Sequence, residues 1–311
     1  MTCILLTALF FADARRAEAA TYDLYVDKNS GESAEDGSQQ YPFKTIGSAL
    51  DYIIGNNLKN KKVFIKNGEY KESVTLVNNT SLYGESRKGV VINAKDEKYG
   101  IRFSSTKSKI KKITVKGGRT NLKVSKKSKV TVSKCSISKA RSNGIKINHS
   151  KSADRYKFVL RDSSVKKSGK RGLYIFKRKI EIVDSKIADS DEEGIDMHKG
   201  VRGKIKNNNI IGNGESGIET GFDRTKLKIK SNKIKSNKSS GISIQFRSLA
   251  GNGEIILEKN KLSGNKKWGV RYANYIGHGY GGKAFQKLVT ESVELINNTI
   301  ANNKKGEVYY Q

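Results

Sequence analysis

Asp189-Ser-Asp-Glu-Glu-Gly-Ile-Asp196 places five acids in eight positions, in a chain with only 30 acidic residues against 61 Lys plus Arg. Two residues further on stands His198, one of three histidines. In Asp196-Met197-His198 an extended backbone sends both polar side chains to one face and Met197 to the other. A carboxylate beside an imidazole is a unit for moving protons near neutral pH. Like charges on neighbouring strands are destabilising. Such a cluster calls for a cation, a nearby Arg or Lys, or a proton held above the usual carboxylate range. Asp191, Glu192 and Glu215 offer the hard oxygen ligands that calcium takes, and are the candidates for such an ion.

A repeat aligns these residues. Gly100-Ile101, Asn121-Leu122, Gly144-Ile145, Gly172-Leu173, Gly194-Ile195, Gly217-Ile218, Gly241-Ile242, Gly269-Val270 and Gly306-Glu307 recur with a period near 22 that grows only by insertion. A period of that size marks a solenoid, whose stacked turns set equivalent residues in columns ~4.8 Å apart. Two residues past each repeat glycine, the outward column reads Arg102, Lys123, Lys146, Tyr174, Asp196, Glu219, Ser243 and Arg271. Four past it come Phe176, His198 and Gln245, and six past it Arg178, Asp223, Arg247 and Tyr275. The expected surface is a groove with an acidic centre and basic ends. Tyr174, Asp196, His198 and Glu219 are its candidate catalytic groups. Arg247, Arg271, Gln245, Asp223, Tyr275 and Arg178 are candidates for holding a substrate.

A longer unit also repeats: Ile229, Asn232, Ile234, Asn237 and Gly241 return as Leu257, Asn260, Leu262, Asn265 and Gly269. Asn and Ser at tight corners can bond backbone groups that strands leave unpaired, so these read as structural ladders. Ser163, Ser168, Ser185 and Ser190 take the same slots in earlier copies. Cys135 falls in one too, and is expected to be buried and inert. Residues 274–287 form the largest insertion, rich in Gly and aromatics and containing His278; they are a candidate wall or lid.

Before the repeat, Thr45 is placed to cap a helix whose Ile46, Ala49, Leu50 and Ile53 share one face. The run Pro42-Phe43-Lys44-Thr45-Ile46, Ala49-Leu50 and then Val63-Phe-Ile-Lys-Asn-Gly-Glu-Tyr70 resembles the N-terminal cap and first coil of pectate-lyase-like proteins. That resemblance implies an all-β fold, a single-stranded right-handed parallel β-helix with an N-terminal capping helix. The domain would cover 21–311, with 21–60 as its cap. Asp196-Met197-His198 is similar to the Asp-Pro-His motif of mannuronan C5-epimerases. The likeness implies proton abstraction from C5 of a uronate, with His198 in an acid–base role and Asp196 and Glu219 as acidic partners. Met197 stands in place of the family's proline, and Glu193 in place of a tyrosine. Tyr174, one coil earlier in the same column, is the proposed replacement for that tyrosine. Arg247 or Arg271 would neutralise the substrate carboxylate.

Composition sets outer limits. Residues 1–20 read as a secretory signal, with an apolar stretch from Cys3 to Ala12 and small residues at 17–20. The protein is therefore expected to be secreted, or to reside at the cell surface or in the periplasm, as a monomer. No apolar run is long enough to cross a bilayer. The net charge of +31 suits an acidic polysaccharide, or reflects compositional drift in a Lys- and Asn-rich chain. No nucleic-acid motif accompanies it. Two further functions stay open. One is a glycoside hydrolase using two carboxylates on adjacent coils. The other is a non-catalytic carbohydrate-binding β-helix, with Trp268, Tyr272, Tyr275 and Tyr280 as stacking surfaces.

Overall fold

The computed structural model describes residues 21–150, 155–248, 252–276 and 281–311. Residues 1–20, expected to be a leader, lie outside the described residues, as do His278 and Tyr280. The chain winds into three parallel sheets, of eleven, ten and ten strands. The first runs from Leu24–Val26 to Val293–Ile296, the second from Gly68–Tyr70 to Thr299–Ala301, and the third from Val74–Leu76 to Gly306–Tyr310. Each coil adds one strand to each sheet in turn. Every named pairing is therefore to the coil before or after, and the fold is the expected all-parallel β-solenoid.

The third sheet carries the column anticipated from the repeat. Its register pairs Arg102 with Lys123, Lys123 with Lys146, Lys146 with Tyr174, Tyr174 with Asp196, Asp196 with Glu219, Glu219 with Ser243, and Ser243 with Arg271. The alternating neighbours Ile145, Leu173, Ile195, Ile218, Ile242 and Val270 are fully buried and stack along the axis. The repeat glycine before each of them has a simple cause. A Cβ on Gly172, Gly194, Gly217 or Gly241 would lie 2.5–2.8 Å from the carbonyl oxygen of the next coil's glycine. No side chain fits there.

Corners between the first and second sheets bend through a left-handed residue in each coil: Asp162, Asp184, Asn207, Ser231 and Lys259, with φ between 46° and 55°. The bend turns the following side chain inward. Asn208, Asn232, Asn260 and Asn298 thus form a ladder in which each Nδ2 donates to the next Oδ1 at 2.9–3.0 Å. Asn213, Asn237, Asn265 and Asn303 form a second. Ser185, Ser163 and Cys135 extend the first ladder, and burial pushes the Cys135 thiol up to about 12.

The helix Ile46–Gly55 begins at Thr45, whose hydroxyl accepts from the Ser48 amide, and buries Ile46, Ala49, Leu50 and Ile53. Of the insertion at 274–287, residues 277–280 lie outside the described residues. Gly282–Ser292 is a helix that buries Phe285 and Val289, with the Phe285 ring 5.3 Å from that of Phe246.

Candidate active site

The strands Leu173–Ile175, Ile195–Met197, Ile218–Gly221 and Ile242–Phe246 form the floor of a cleft of about 590 Å³. Tyr174, Asp196, His198, Glu219, Asp223, Gln245 and Arg247 line it together. Tyr174 and Asp196 are adjacent because their strands pair in register. His198 comes just after its strand ends and returns over the same face. Its Nε2 lies 2.9 Å from Tyr174 Oη, and its ring stacks on Phe176 with centroids 4.5 Å apart. Burial, then the Asp196 carboxylate, raise the Tyr174 phenol above its ordinary value. Met197 points the other way, into the core.

Arg171 organises the acids, and it was not among the sequence candidates. Its Nε is 2.6 Å from Asp196 Oδ2 and 3.2 Å from Glu193 Oε2, and its Nη1 is 2.7 Å from Glu192 Oε2. The guanidinium carbon sits 4.8 Å from the centroid of the Tyr174 ring. Arg171 occupies the slot just before a repeat glycine. Backbone bonds from the glycine that follows each slot place Arg171 beside Glu193 and Glu193 beside Ser216 on successive coils. Reading that slot as a column would have revealed the opposite charges on neighbouring coils.

One guanidinium cannot neutralise three carboxylates. Burial, reinforced by a side-chain hydrogen bond with Glu215, pushes Glu193 up to about 9, so it holds its proton at neutral pH. Asp196 is also raised, chiefly by burial, with Arg171 and His198 opposing the shift. Burial and the Asp196 charge raise Glu219. Glu193 is thus a neutral acid buried beside the ionic pair of Arg171 and Asp196.

Several expected roles are corrected. Arg178 does not reach the cleft: it is fully buried, and its guanidinium donates to the backbone carbonyls of Ser125, Lys126, Ser128, Asn148 and Tyr156. Its strand ends at Ile175, so the in–out alternation used to place it no longer applies. Arg271 keeps its column but turns to Gln311. Tyr275 lies beside the cleft, its ring centroid 4.8 Å from the Arg247 guanidinium carbon. Arg247 in turn donates to Gln245 Oε1. Tyr272 is buried and offers no stacking surface, and Trp268 is stacked on Tyr309.

Of the calcium candidates Asp191, Glu192 and Glu215, one is already paired with cations. Glu192 is held by Arg171 and Lys170, and no three His, Cys, Asp or Glu side chains gather in a metal-holding group among the described residues.

Fold and cleft together define a three-sheet parallel β-helix. Residues 123–277 match the family model described as a right handed beta helix region. Three solved structures share the fold at low identity. The A-module of mannuronan C-5 epimerase AlgE4 from Azotobacter vinelandii is 16% identical, with 91% of this chain and 97% of that one covered and a TM-score of 0.56. An alginate lyase from Paenibacillus sp. is 11% identical over 85% and 95%, with a TM-score of 0.57. Pectate lyase Pel9A is 14% identical over 91% and 77%, with a TM-score of 0.62. No curated protein sequence matches the chain.

Proposed function

We propose that this protein is an exported enzyme acting on an acidic polysaccharide, a C5-epimerase or lyase of a polyuronate such as alginate or pectate. The observation that carries this reading is the 2.9 Å contact between His198 Nε2 and Tyr174 Oη on the cleft floor, beside Asp196 and Arg171. Export is supported by the apolar leader at 1–20, and no helix of the described residues is long and apolar enough to cross a membrane.

A uronate C5 proton is removable only when the adjacent carboxylate is neutralised, since the electrons left at C5 spread into that group. The cleft supplies the means in Arg247, with the Asp196 and Glu219 carboxyl groups, both raised above their usual range by burial, lining the same cleft. Of the two arginines expected to serve, Arg247 lines the cleft and Arg271 does not. His198 or Tyr174 takes the C5 proton and the other group delivers one. Return of a proton to the opposite face of C5 inverts that centre. Alternatively the C4–O bond breaks, its oxygen leaves with a proton, and a C4=C5 double bond remains.

A binding-only role is favoured by one observation, the exposed His198 ring stacked on the half-buried Phe176. A single experiment separates these readings. Alginate and pectate are incubated with the protein in deuterated buffer and followed by proton NMR and ultraviolet absorbance. Exchange at C5 without absorbance identifies an epimerase, and new absorbance a lyase. If neither appears while the polymer is still bound, the catalytic reading fails.

A further inference from the structure

A second cavity, of about 410 Å³, opens where the chain turns from the third sheet into the first, on earlier coils than the cleft. All four charged side chains lining it are cations: Lys107, Lys127, Lys129 and Arg155. In a chain of this charge, surface lysines alone would mean little. The second observation lies beneath them. Arg178 is fully buried, and three of the carbonyls it binds belong to Lys126 and Ser128, on either side of Lys127, and to Tyr156 in the cavity wall. Its Nε has no hydrogen-bond partner, and no carboxylate among the described residues is paired with it. Burial lowers it to about 10.

A buried charge without a counter-ion is costly. Here the charge pins the segment that presents the surface cations, and its own field adds to theirs. An anion in the cavity would relieve both. Tyr156 contributes an aromatic ring, with the Arg155 guanidinium carbon 5.6 Å from its centroid. Cations that grip an acid group beside a ring that packs on a sugar face are what a sugar acid requires.

We propose that this cavity is a second, non-catalytic binding site for an acidic glycan. It takes one uronate carboxylate among Lys107, Lys127, Lys129 and Arg155, with the sugar ring against Tyr156. The choice of a uronate rests on the function proposed above; the site itself does not. Such a site would hold the polymer to the protein while the cleft works on a distant segment.

Affinity electrophoresis of the full chain through gels containing alginate or dextran sulfate tests it without reading turnover. The variant Lys127→Ser/Arg155→Ser is compared with Lys233→Ser/Lys261→Ser, which removes two exposed, stacked lysines from the second sheet and leaves net charge equal. All four side chains are exposed, so the substitutions spare the core. The cavity variant should bind alginate roughly three- to ten-fold more weakly than the control, a range set by two charge-assisted contacts. The same difference should persist in a His198→Ala background, which separates this site from the cleft. Equal weakening in both double variants, or none in the cavity variant, would overturn the site. Equal weakening on dextran sulfate and alginate would overturn the uronate assignment.

Discussion

Asn208, Asn232, Asn260 and Asn298 stack at one corner of the solenoid, while Asp196 and Glu219 stack on the floor of the cleft, with Glu193 buried close by. In both places the fold brings polar side chains of similar type into register one coil apart. An amide carries donor and acceptor together, so identical copies satisfy one another: each Asn Nδ2 meets the next Oδ1 and also a backbone carbonyl, as Asn232 does with Asn260 and Ile205. A carboxylate carries only acceptors and charge, so its copies repel. They are tolerated through Arg171, which pairs with Asp196, and through the proton that buried Glu193 retains close by. Where the stack is self-complementary it is scaffold; where it is frustrated, it has the properties that proton chemistry needs.

The contrast is sharpest if the cleft is disabled without touching the ladder. His198→Ala is expected to slow C5 proton exchange by about 10²–10⁴-fold, the usual weight of a positioned acid or base. Its thermal stability should be close to that of the parent, because His198 is exposed. Single-turnover NMR with alginate checks the first expectation and a melting curve the second. Tyr174→Phe should act in the same direction.

Arg178 extends the comparison, as a buried charge whose hydrogen bonds all go to backbone carbonyls. Arg178→Met leaves five carbonyls without their donor. At about 1 kcal/mol for each lost bond, and some recovery through water, the expected loss is about 3–5 kcal/mol in urea unfolding. Stability unchanged by this substitution would remove the structural role given to Arg178.

Breaking the ladder should cost less. Asn232→Ala strips the Asn208 amide groups and the Ile205 carbonyl of their partner, for about 2 kcal/mol. Activity at a temperature well below unfolding should be retained. A comparable loss of activity would tie the corner to the cleft and blur the distinction.

Glu193→Gln is expected to have the smallest effect, and a favourable one. Because the folded-state value is raised from 4.5 to about 9, the folded protein holds a proton that the unfolded chain gives up across that window. Stability therefore falls as pH rises from 4.5 to about 9 and is unaffected below it. Gln mimics the protonated acid and removes that slope. The variant should exceed the parent by about 1 kcal/mol near the top of the window and match it at the bottom, as read from urea midpoints.

Much of the architecture was legible in the residue pattern. The recurring Gly–apolar pair, the Asn ladder slots and the Thr45-capped helix each follow from local rules applied along a period. The column from Arg102 to Arg271 came out in register because strand alternation and a fixed coil length are enough to compute it. Errors arose where alternation stopped. Arg178 lies three residues past the end of its strand, and the turn carries it inward. The 274–287 insertion contributes to a helix because Phe285 and Val289 find apolar neighbours at the end of the core, a fact of packing. Glu192, among the acids that periodicity groups for a cation, meets the Arg171 guanidinium of the previous coil, which alignment of the acids alone does not reveal.

By itself, the sequence determined the repeat, the stacking partners and the concentration of acids beside His198, since each depends on periodicity and composition. Only the tertiary structure decided how the charges are settled. It brought Arg171 across a coil to Asp196, Glu192 and Glu193, closed His198 onto Tyr174, and buried Arg178 among five carbonyls. The reason is physical: periodicity fixes which residues stack, but ionisation and pairing depend on desolvation and on distances of a few ångströms between side chains, set by how corners and turns pack.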